Sequence, residues 1–417
     1  MNNNWQHGFY RRTTAERQKI ISQQRHLSEE QRGLLADHAS ALGNQLIENY
    51  LTDYQLSEGV AVGLKVNGHD YTVPMVVEEP SVIAAASNGA QRVARSGGFT
   101  ASATQRRMIG QIILKDVDDL AALRSWVSQH HSEILATANA AHPSMQQRGG
   151  GAKDLRLRNE PPFVSLDLKV DVREAMGANC VNTMAEAVAN LMRQQGWSVT
   201  AAILSNLATD SLQTVSARVD FRNLGGHGFS GVEAAHGIVD LSQLAHVDPY
   251  RAATHNKGIM NGIDAVMIAA GNDWRAIESG AHAYAAHDGQ YRGLSTWQVE
   301  GQSLVGRMTV PLPTGIVGGS IGVNPQTRLN YQISGIQTAQ ELAQVAASVG
   351  LAQNLSALRA LATNGIQAGH MKLQYRSLAL SVGASPEEAP SLAKQLAQVK
   401  HVDKGIAKQL LEKMRKD

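Results

Sequence analysis

The sequence predicts an α+β protein with more than one domain, and three observations support this class. Its 417 residues exceed the roughly 250–300 at which a single hydrophobic core stops growing. Short runs of alternating apolar residues lie between longer alanine-rich helical stretches. Residues 108–216 carry their own succession of strands and helices. With 43% hydrophobic and 18% charged residues, we expect folded cores rather than disorder.

The region before residue 108 begins with helices. Two capping boxes, at 13–16 and 28–31, place a hydroxyl three residues before Glu or Gln, which is typical of a helix start. Residues 59–77 predict two strands joined at Asn67-Gly68, a strong hairpin signal. The alanine-rich stretch 81–93 then predicts a buried helix.

Residues 108–216 predict a ferredoxin-like fold. Strands are expected at 109–117, 155–158, 163–172 and 198–204, and helices at 118–140 and 174–195. The resulting order, βαββαβ, is the split βαβ arrangement of ferredoxin-like domains. We therefore expect this segment to be a domain of its own.

The rest of the chain mixes helices and strands and ends in a basic tail. Helices are predicted at 342–363 and from 369 to about 380. Pro386 and Pro390 form a hinge before the amphipathic stretch 391–417, so we expect a C-terminal helical flap, although the alternating lysines are also typical of a solvated helix face. The predicted divisions are a large domain at 1–107 and 217–380, the ferredoxin-like domain at 108–216, and the flap at 381–417.

Composition and charge exclude several classes of function. The 38 Lys and Arg residues nearly balance 36 Asp and Glu, a net charge of +2, so we expect no nucleic-acid partner. No apolar run approaches the roughly 18–20 residues of a membrane span, and residues 1–7 lack the order of a signal peptide, so we expect a cytoplasmic protein with no membrane partner. The single cysteine, Cys180, excludes an intrachain disulfide and a cysteine-rich zinc site.

Three generic motifs favour structural interpretations. Gly226–Gly231 fits GxGxxG, but the expected strand with an acidic residue about 20 positions later is missing, so we predict a glycine-rich turn. Gly318–Gly322 fits GxSxG, but the early Pro325 argues against the helix that a nucleophile elbow requires. His282 and His287 are five residues apart, which does not match the i, i+4 spacing of zinc helices, so we expect no metal.

Two polar stretches lie in apolar surroundings. Residues 78–81 fall between a strand and a buried helix, where desolvation raises the pKa of a carboxyl group and suits it to proton donation. Residues 248–258 bring Arg251 and Lys257 close in sequence, with Asn261 and residues 271–273 following. These residue types suit an oxyanion and carboxylate site, but surface salt bridges explain them as well.

Taken together, four stretches closely resemble 3-hydroxy-3-methylglutaryl-CoA reductase of the soluble bacterial class II. The matching stretches are Val73–Val82, Arg173–Asn179, Asp248–Asp273 and Gly369–Met371. They occur in the family's order over nearly the whole chain. The resemblance implies a large substrate and CoA domain, an inserted ferredoxin-like dinucleotide-binding domain and a closing flap. It also implies a homodimer, or a higher oligomer of dimers, with the active site between subunits.

The resemblance implies that two hydride transfers from NAD(P)H reduce HMG-CoA to mevalonate and free CoA for isoprenoid biosynthesis. Lys257 would stabilise the developing alkoxide. Glu79 would protonate it at the aldehyde step, and His370 would protonate the departing thiolate. Asp273 would bind the lysine. The implied substrate-binding residues are Ser81, Arg251 and Asn261 at the hydroxymethylglutaryl end and Asn206 near the reacting centre.

The resemblance also implies a dinucleotide site at the start of the helix near residue 177. Its residues are Glu174, where the family usually has Asp, with Met176, Gly177 and Asn179. The loop after the first helix of the small domain has no acidic residue between 137 and 148, where NADH-using relatives carry a carboxylate. His142 and Arg148 would instead attract a 2′-phosphate, so we expect NADPH to be preferred. The alternative is an enzyme that accepts NADH equally.

Two other functions share the same residues. One is catabolic oxidation of mevalonate with NAD, which needs the same side chains. The other is a non-catalytic, CoA-binding relative. Retention of all four implied catalytic residues argues against the second, because a non-catalytic protein is free to lose them.

Overall fold

The computed structural model describes residues 5–103, 105–226, 228–319, 321–363, 365, 375–399 and 402–415. The chain divides into two compact units, Met1–Ser57 and Glu58–Asp417. His370 and Met371, and the start of the helix predicted from residue 369, lie outside the described residues. So do His227 and Ser320 of the two glycine motifs.

The first unit is helical, as its capping boxes predict. It contains a 3₁₀ turn (Phe9–Arg11) and the helices α1 (Thr14–Arg25), α2 (Glu29–Asp37) and α3 (Ala41–Leu46). Both predicted capping boxes are formed, because Thr13 and Ser28 each accept from the third helical N–H and receive the reciprocal side-chain bond. The buried Arg17 donates to the carbonyl of Tyr50 at 3.0 Å and so ties α1 to the end of the unit.

The second unit contains two sheets and their covering helices. Its elements before residue 212 are β1 (Glu58–Val66), β2 (His69–Val76), α4 (Val82–Ala94), β3 (Phe99–Ala103), β4 (Arg107–Lys115), α5 (Leu120–Gln129), α6 (His131–Ala141), α7 (Pro143–Gln147), β5 (Gly151–Glu160), β6 (Phe163–Asp171), α8 (Ala178–Gln194) and β7 (Val199–Ser205). After residue 212 follow β8 (Leu212–Asp220), α9 (Gly231–Val247), α10 (Pro249–Ala269), α11 (Trp274–Ala285), β9 (Ser295–Glu300), β10 (Ser303–Pro311), α12 (Pro325–Ser334), α13 (Ala339–Ala362), α14 (375–381), α15 (Ala389–Leu396) and α16 (Lys404–Met414).

The larger sheet has the strand order β2-β1-β3-β8-β10-β9. Its first two strands form the predicted hairpin, and Asn67 and Gly68 both have positive φ, as a tight turn between twisted strands requires. The β1–β3 pair is parallel and the other neighbours are antiparallel. One face of this sheet packs on the long helix α13, which is buried along most of its length.

Glycines set the close approach of helices to α13. A Cβ added at Gly89 of α4 would lie 2.0 Å from the carbonyl oxygen of Ala352. On the other side, a Cβ at Gly262 of α10 would lie 3.1 Å from Val349, and one at Gly350 would lie 2.9 Å from Ile263. Both α4 and α10 are therefore held against α13 at distances that a larger side chain would not permit.

The second sheet is antiparallel, with strand order β5-β6-β4-β7, and α6 and α8 pack on it. Its elements follow in the order β, helices, β, β, helix, β that the sequence predicts. The helix expected at 118–140 is two helices, which are divided at His130, where the backbone leaves helical geometry. Residue 216, the expected domain boundary, lies within β8, which pairs in the larger sheet.

The C-terminal helices form a small apolar cluster of their own. Leu392, Leu396 and Leu411 are buried in it, and an ion pair of 2.8 Å joins Arg415 to Glu388. Among the described residues, no helix combines the length and apolar character needed to cross a membrane.

Candidate active site

A lysine and a glutamate that are 178 positions apart in the sequence meet at the surface of the larger domain. Glu79 lies in the turn between β2 and α4, and Lys257 lies on α10. Lys257 Nζ is 3.0 Å from Glu79 Oε2, and Ser81 Oγ donates to Glu79 Oε1 at 3.1 Å. The lysine side chain is 62% exposed and the glutamate 32%, so both groups can reach a molecule bound from solvent. Three predicted site residues are thus in mutual contact.

Asn261 and Asp264 extend this group along α10, because residues four and seven positions after Lys257 share its helix face. Burial, with a further contribution from the neighbouring Glu278, raises the pKa of Asp264 to about 9. Asp264 is therefore neutral at pH 7 and adds no second carboxylate charge beside the lysine. Sequence reasoning missed Asp264, since its protonation depends on a contact with another helix.

Arg251 lies near the start of α10, on a different face from Lys257. Burial lowers the pKa of its guanidinium, which still carries its charge at neutral pH. Its Nε is buried and makes no hydrogen bond to any residue that the structure describes. The adjacent His255 is 2% exposed, and burial lowers its pKa to about 3, so a neutral imidazole stands next to the cation. Arg251 thus remains available to an anion.

The second group of predicted residues lines a cleft of about 600 Å³. Three segments form it: the start of α8 with the loop before it, the turn between α10 and α11, and a glycine-rich loop after β10. His142, Met145 and Arg148 close one side. The lining residues are His142, Met145, Arg148, Ala175, Met176, Gly177, Ala178, Asn179, Cys180, Gly271, Asn272, Asp273, Trp274, Arg275, Val317, Gly318, Gly319 and Ile321.

The start of α8 is shaped to receive an anion. Gly177 occupies the N-cap position with φ of 86°, and no side chain caps the helix. The first N–H groups of α8 are therefore left for a ligand at the positive end of the helix dipole. A Cβ at Gly177 would lie 2.3 Å from Val172 Cγ1, so the turn requires glycine. A dinucleotide pyrophosphate fits this end of the cleft.

The rim of the cleft carries the two predicted cofactor-selecting residues. Arg148 is exposed and donates from Nε to the carbonyl of Ser144 at 3.0 Å. The Ser144 hydroxyl is 3.3 Å from Nδ1 of His142. Both basic side chains are thus brought together by the short helix α7, although they are six residues apart in sequence.

Asp273 lies at the opposite side of the cleft, at the N-cap of α11. Its carboxylate accepts from the N–H of Ala276 at 3.1 Å, and Arg275 Nε is 3.8 Å away. The preceding Asn272 fixes the turn, because its amide bonds both the N–H and the carbonyl of Gly315. The side chain of Asp273 remains 49% exposed, within reach of a bound molecule.

Glu174, a predicted cofactor contact, bonds the start of α13 and is not one of the residues that line the cleft. Its Oε2 accepts from the N–H of Ala339, the first residue of α13, at 2.6 Å. A carboxylate at a helix N-terminus is stabilised by the free N–H groups and the dipole there. Glu174 therefore anchors the loop before α8 to the larger core.

Asn206 is outside both groups of residues. It lies in the loop after β7, and its backbone carbonyl is packed so closely on α11 that a Cβ at Gly280 would lie 2.5 Å from it. It does not appear among the residues that line the cleft. His370, the remaining predicted catalytic residue, lies outside the described residues.

The two groups of site residues lie at different places along α10. Lys257 is more than three helical turns before the end of α10 at Ala269, a rise of about 18 Å at 1.5 Å per residue. Asp273 follows that end, in the turn before α11. Lys257 does not line the cleft that contains Asp273.

Gly318 and Gly319 line the cleft, although the sequence did not predict them as site residues. They were interpreted as part of a misleading hydrolase motif, but both have positive φ and line the cleft. The signal available in the sequence was the pair of consecutive glycines shortly before the helix start at Asn324-Pro325. The prediction for Gly226–Gly231 is confirmed for its described residues, since Gly226 and Phe229 exchange backbone hydrogen bonds in a tight turn. Within the described ranges, no three metal-binding side chains cluster.

The chain is similar to known proteins of a single family. The model of the family described as hydroxymethylglutaryl-coenzyme A reductase matches residues 13–375. The 3-hydroxy-3-methylglutaryl-coenzyme A reductase of Archaeoglobus fulgidus is 42% identical over 420 residues, which cover 98% of this chain and 94% of that protein. A probable reductase of the same name from Borreliella burgdorferi is 34% identical and covers 80% of this chain and 77% of its own.

Solved structures give the same result. The 3-hydroxy-3-methylglutaryl-coenzyme A reductase from Streptococcus pneumoniae superposes with a TM-score of 0.77 at 45% identity, covering 98% of this chain and 99% of its own. A class II enzyme from the same organism, bound to NADPH in open conformations, superposes with a TM-score of 0.76 at 46% identity, covering 97% and 100%.

Proposed function

Because this chain belongs to the 3-hydroxy-3-methylglutaryl-coenzyme A reductase family, we propose that it reduces the thioester of HMG-CoA to the primary alcohol of mevalonate and releases CoA, in the biosynthetic direction. The observation that carries the proposal is the contact between Lys257 and Glu79 at 3.0 Å beside an exposed surface. A cation and an acid are the two groups that carbonyl reduction requires. We also place the enzyme in the cytoplasm.

The residues of the chain divide the work between charge and proton transfer. Bound NADPH supplies the hydride for each reduction. Lys257 Nζ stabilises the oxyanion that develops on the carbonyl oxygen, and it is most effective when substrate excludes water. Glu79 supplies the proton for the final alkoxide, with Ser81 holding its second oxygen. His370 protonates the departing CoA thiolate, as the family motif implies.

Substrate binding uses the remaining polar groups of α10. Arg251 suits the free carboxylate of the hydroxymethylglutaryl group, because its buried Nε lacks a partner among the described residues. Asn261 lies one turn beyond Lys257 and suits the substrate oxygens near the reacting carbon. Asn206 we assign to the vicinity of the same centre, through the loop that follows β7.

We further propose that the small sheet and its helices form an inserted ferredoxin-like domain for the dinucleotide, and that the helices after residue 381 form a flap. The free N–H groups of α8 and the glycine turn at Gly177 support the cofactor site. The flap is supported by its separate apolar cluster around Leu392. Its closure would complete the site for each turnover.

The active site is shared between two copies of the chain. Lys257 is about 18 Å of helical rise before the end of α10 that precedes Asp273, and it does not line the cleft that contains Asp273, yet the implied mechanism requires the two side chains to touch. A homodimer, alone or within a larger assembly, resolves this if the Glu79–Lys257 group of one copy faces the Asp273 cleft of its partner.

Complementation tests the shared site. Lys257→Ala and Asp273→Asn are each expected to be inactive, but their mixed dimers contain one intact site, so an equal mixture should recover about a quarter of wild-type activity. The matched control mixes Lys257→Ala with Glu79→Gln, which damage the same half and should give no recovery. An inactive first mixture that still dimerises would show that each site belongs to a single chain.

The activity itself is tested by following cofactor absorbance with HMG-CoA and either NADPH or NADH. Consumption should require HMG-CoA and stop when thioester is exhausted, at two cofactors per substrate. Absence of consumption with both cofactors would exclude the reductase. Oxidation of mevalonate with CoA and NAD, assayed in parallel, measures the catabolic alternative.

A further inference from the structure

A second cleft, of about 330 Å³, lies at one end of the larger sheet and shares no lining residue with the 600 Å³ cleft or the Lys257–Glu79 group. It is formed by the ends of α9 and α11, the loop after α11, and the neighbouring strands β9 and β10. Its lining includes the charged residues Asp288, Arg292 and Arg307 and the ring pair Tyr284 and His287. None of these has a role in the proposed reduction.

Arg307 supplies an unused positive charge. It lies on β10 opposite Thr296 of β9, and its neighbour Met308 points into the core, so strand alternation turns Arg307 to the open face. Arg307 makes no hydrogen bond or ion pair with any residue that the structure describes. A longer-range attraction to Glu300 remains, but Arg218 already holds that carboxylate at 2.6 Å.

The other charges of the cleft are satisfied. Arg292 Nε is 2.9 Å from Asp288 Oδ2, and its Nη1 donates to the carbonyl of His246 at 2.7 Å. This ion pair lowers the pKa of Asp288 and keeps it ionised. Arg292 and Asp288 therefore cancel, and the guanidinium of Arg307 leaves the cleft with a net positive charge.

The wall beside these charges is flat and largely apolar. The rings of Tyr284 and His287 stack with centroids 4.5 Å apart and planes within 3°. Leu294 is a further apolar residue of the lining. A flat wall next to one free guanidinium matches a ligand with a planar body and a single anionic group.

We propose that this cleft is a binding site for a small planar organic anion, a carboxylate or phosphate carried on a ring, which pairs with Arg307 and lies against the Tyr284–His287 wall. The site is separate from the reductase chemistry. Its occupant would act as an effector or a second ligand rather than as substrate.

Binding of phenyl phosphate and of benzoate to the full-length protein, measured by ligand-observed NMR titration, tests the site and distinguishes the two anion types. At least one of the two should bind saturably. It should bind more tightly than inorganic phosphate, which lacks the ring, and more tightly than phenol, which lacks the anionic group. Arg307→Gln should weaken binding about tenfold or more. Arg307→Lys, which keeps the charge, should retain most of it.

The matched control is Arg222→Gln, which removes an exposed arginine that pairs with Asp220 and does not line the cleft, and should leave the affinity unchanged. Equal affinity in Arg307→Gln and wild type, equal losses in both arginine variants, or no saturation would overturn the proposal. Displacement of the probe by saturating CoA or NADPH would also overturn it, because the cleft would then belong to the substrate sites. Matching circular dichroism spectra show that each variant is folded.

Discussion

The Glu79–Lys257 group and the 600 Å³ cleft are built in different ways. In the first, side chains contact each other directly across 178 positions of sequence, with distances near 3 Å. In the second, the important groups are backbone N–H groups and glycines with positive φ, which surround an open cleft. Chemistry that needs particular side chains is thus separated from recognition that needs a particular backbone shape. Substitutions should have different consequences in the two regions.

The largest effect is expected in the side-chain group. Lys257→Ala should lower kcat by about 10²–10³, because the oxyanion loses its preorganised cation. The fold should be unchanged, since this lysine is exposed. Steady-state kinetics on the purified variant measure the loss, with Lys115→Ala, another exposed lysine, as the control. A variant that keeps more than about a third of wild-type kcat would contradict the role of Lys257.

In the backbone-built cleft, Gly177→Ala should act on cofactor binding instead. The added Cβ would clash with Val172 and a left-handed backbone is strained for alanine, so kcat/KM for NADPH should fall about tenfold or more. Gly196→Ala is the matched control, because Gly196 follows the same helix at φ of 85° with open space around it. If both variants lose stability equally and neither changes cofactor KM, the turn does not touch the dinucleotide.

Cofactor choice should respond to Arg148 by a smaller factor. Arg148→Gln removes an exposed cation from the rim of the cleft and should lower kcat/KM for NADPH about fivefold while leaving NADH little changed. Arg124→Gln, an exposed arginine on α5, serves as control. This prediction requires the wild-type enzyme to prefer NADPH. If kcat/KM for NADPH divided by kcat/KM for NADH is one or less in the wild type, the predicted preference is wrong.

The smallest effect is expected at Glu174, which belongs to neither kind of site. Glu174→Gln should lower the free energy of unfolding by about 1 kcal/mol, because a charged acceptor at the start of α13 becomes neutral. Denaturant unfolding and cofactor KM should be measured together. A large rise in KM with unchanged stability would restore Glu174 as a cofactor contact.

Local signals predicted much of this structure. The two capping boxes and the Asn67-Gly68 turn are determined by neighbouring residues, so the sequence was sufficient for them. The division of the helix at His130 was missed because the helical pattern of the sequence continues through it, whereas in the structure the His130 backbone leaves helical geometry and its Nδ1 lies 2.9 Å from the carbonyl oxygen of Trp126. Helix propensity is a weak guide when side-chain contacts compete with it.

The functional residues divide in the same way. Lys257 and Glu79 could be identified from residue type and motif, and the structure brings them into contact. The bond from Ala339 to Glu174 could not be predicted, because Ala339 lies 165 positions away and a motif carries no information about such a distant contact. Gly318 was dismissed because a glycine that shapes a cleft contributes only backbone, which side-chain chemistry cannot reveal.

The glycines that let α4 and α10 approach α13 also determine the spacing of the reactive groups. Glu79 lies just before α4 and Lys257 lies on α10, so the gap between them depends on how closely both helices approach the same central helix. A single methyl group at Gly89 would collide with the backbone of α13 and displace α4, whereas one at Gly262 would press on the side chain of Val349 and require a smaller shift. Substitutions at these buried glycines should therefore lower the catalytic rate as well as the stability of the fold, although none of the glycines touches the reactants.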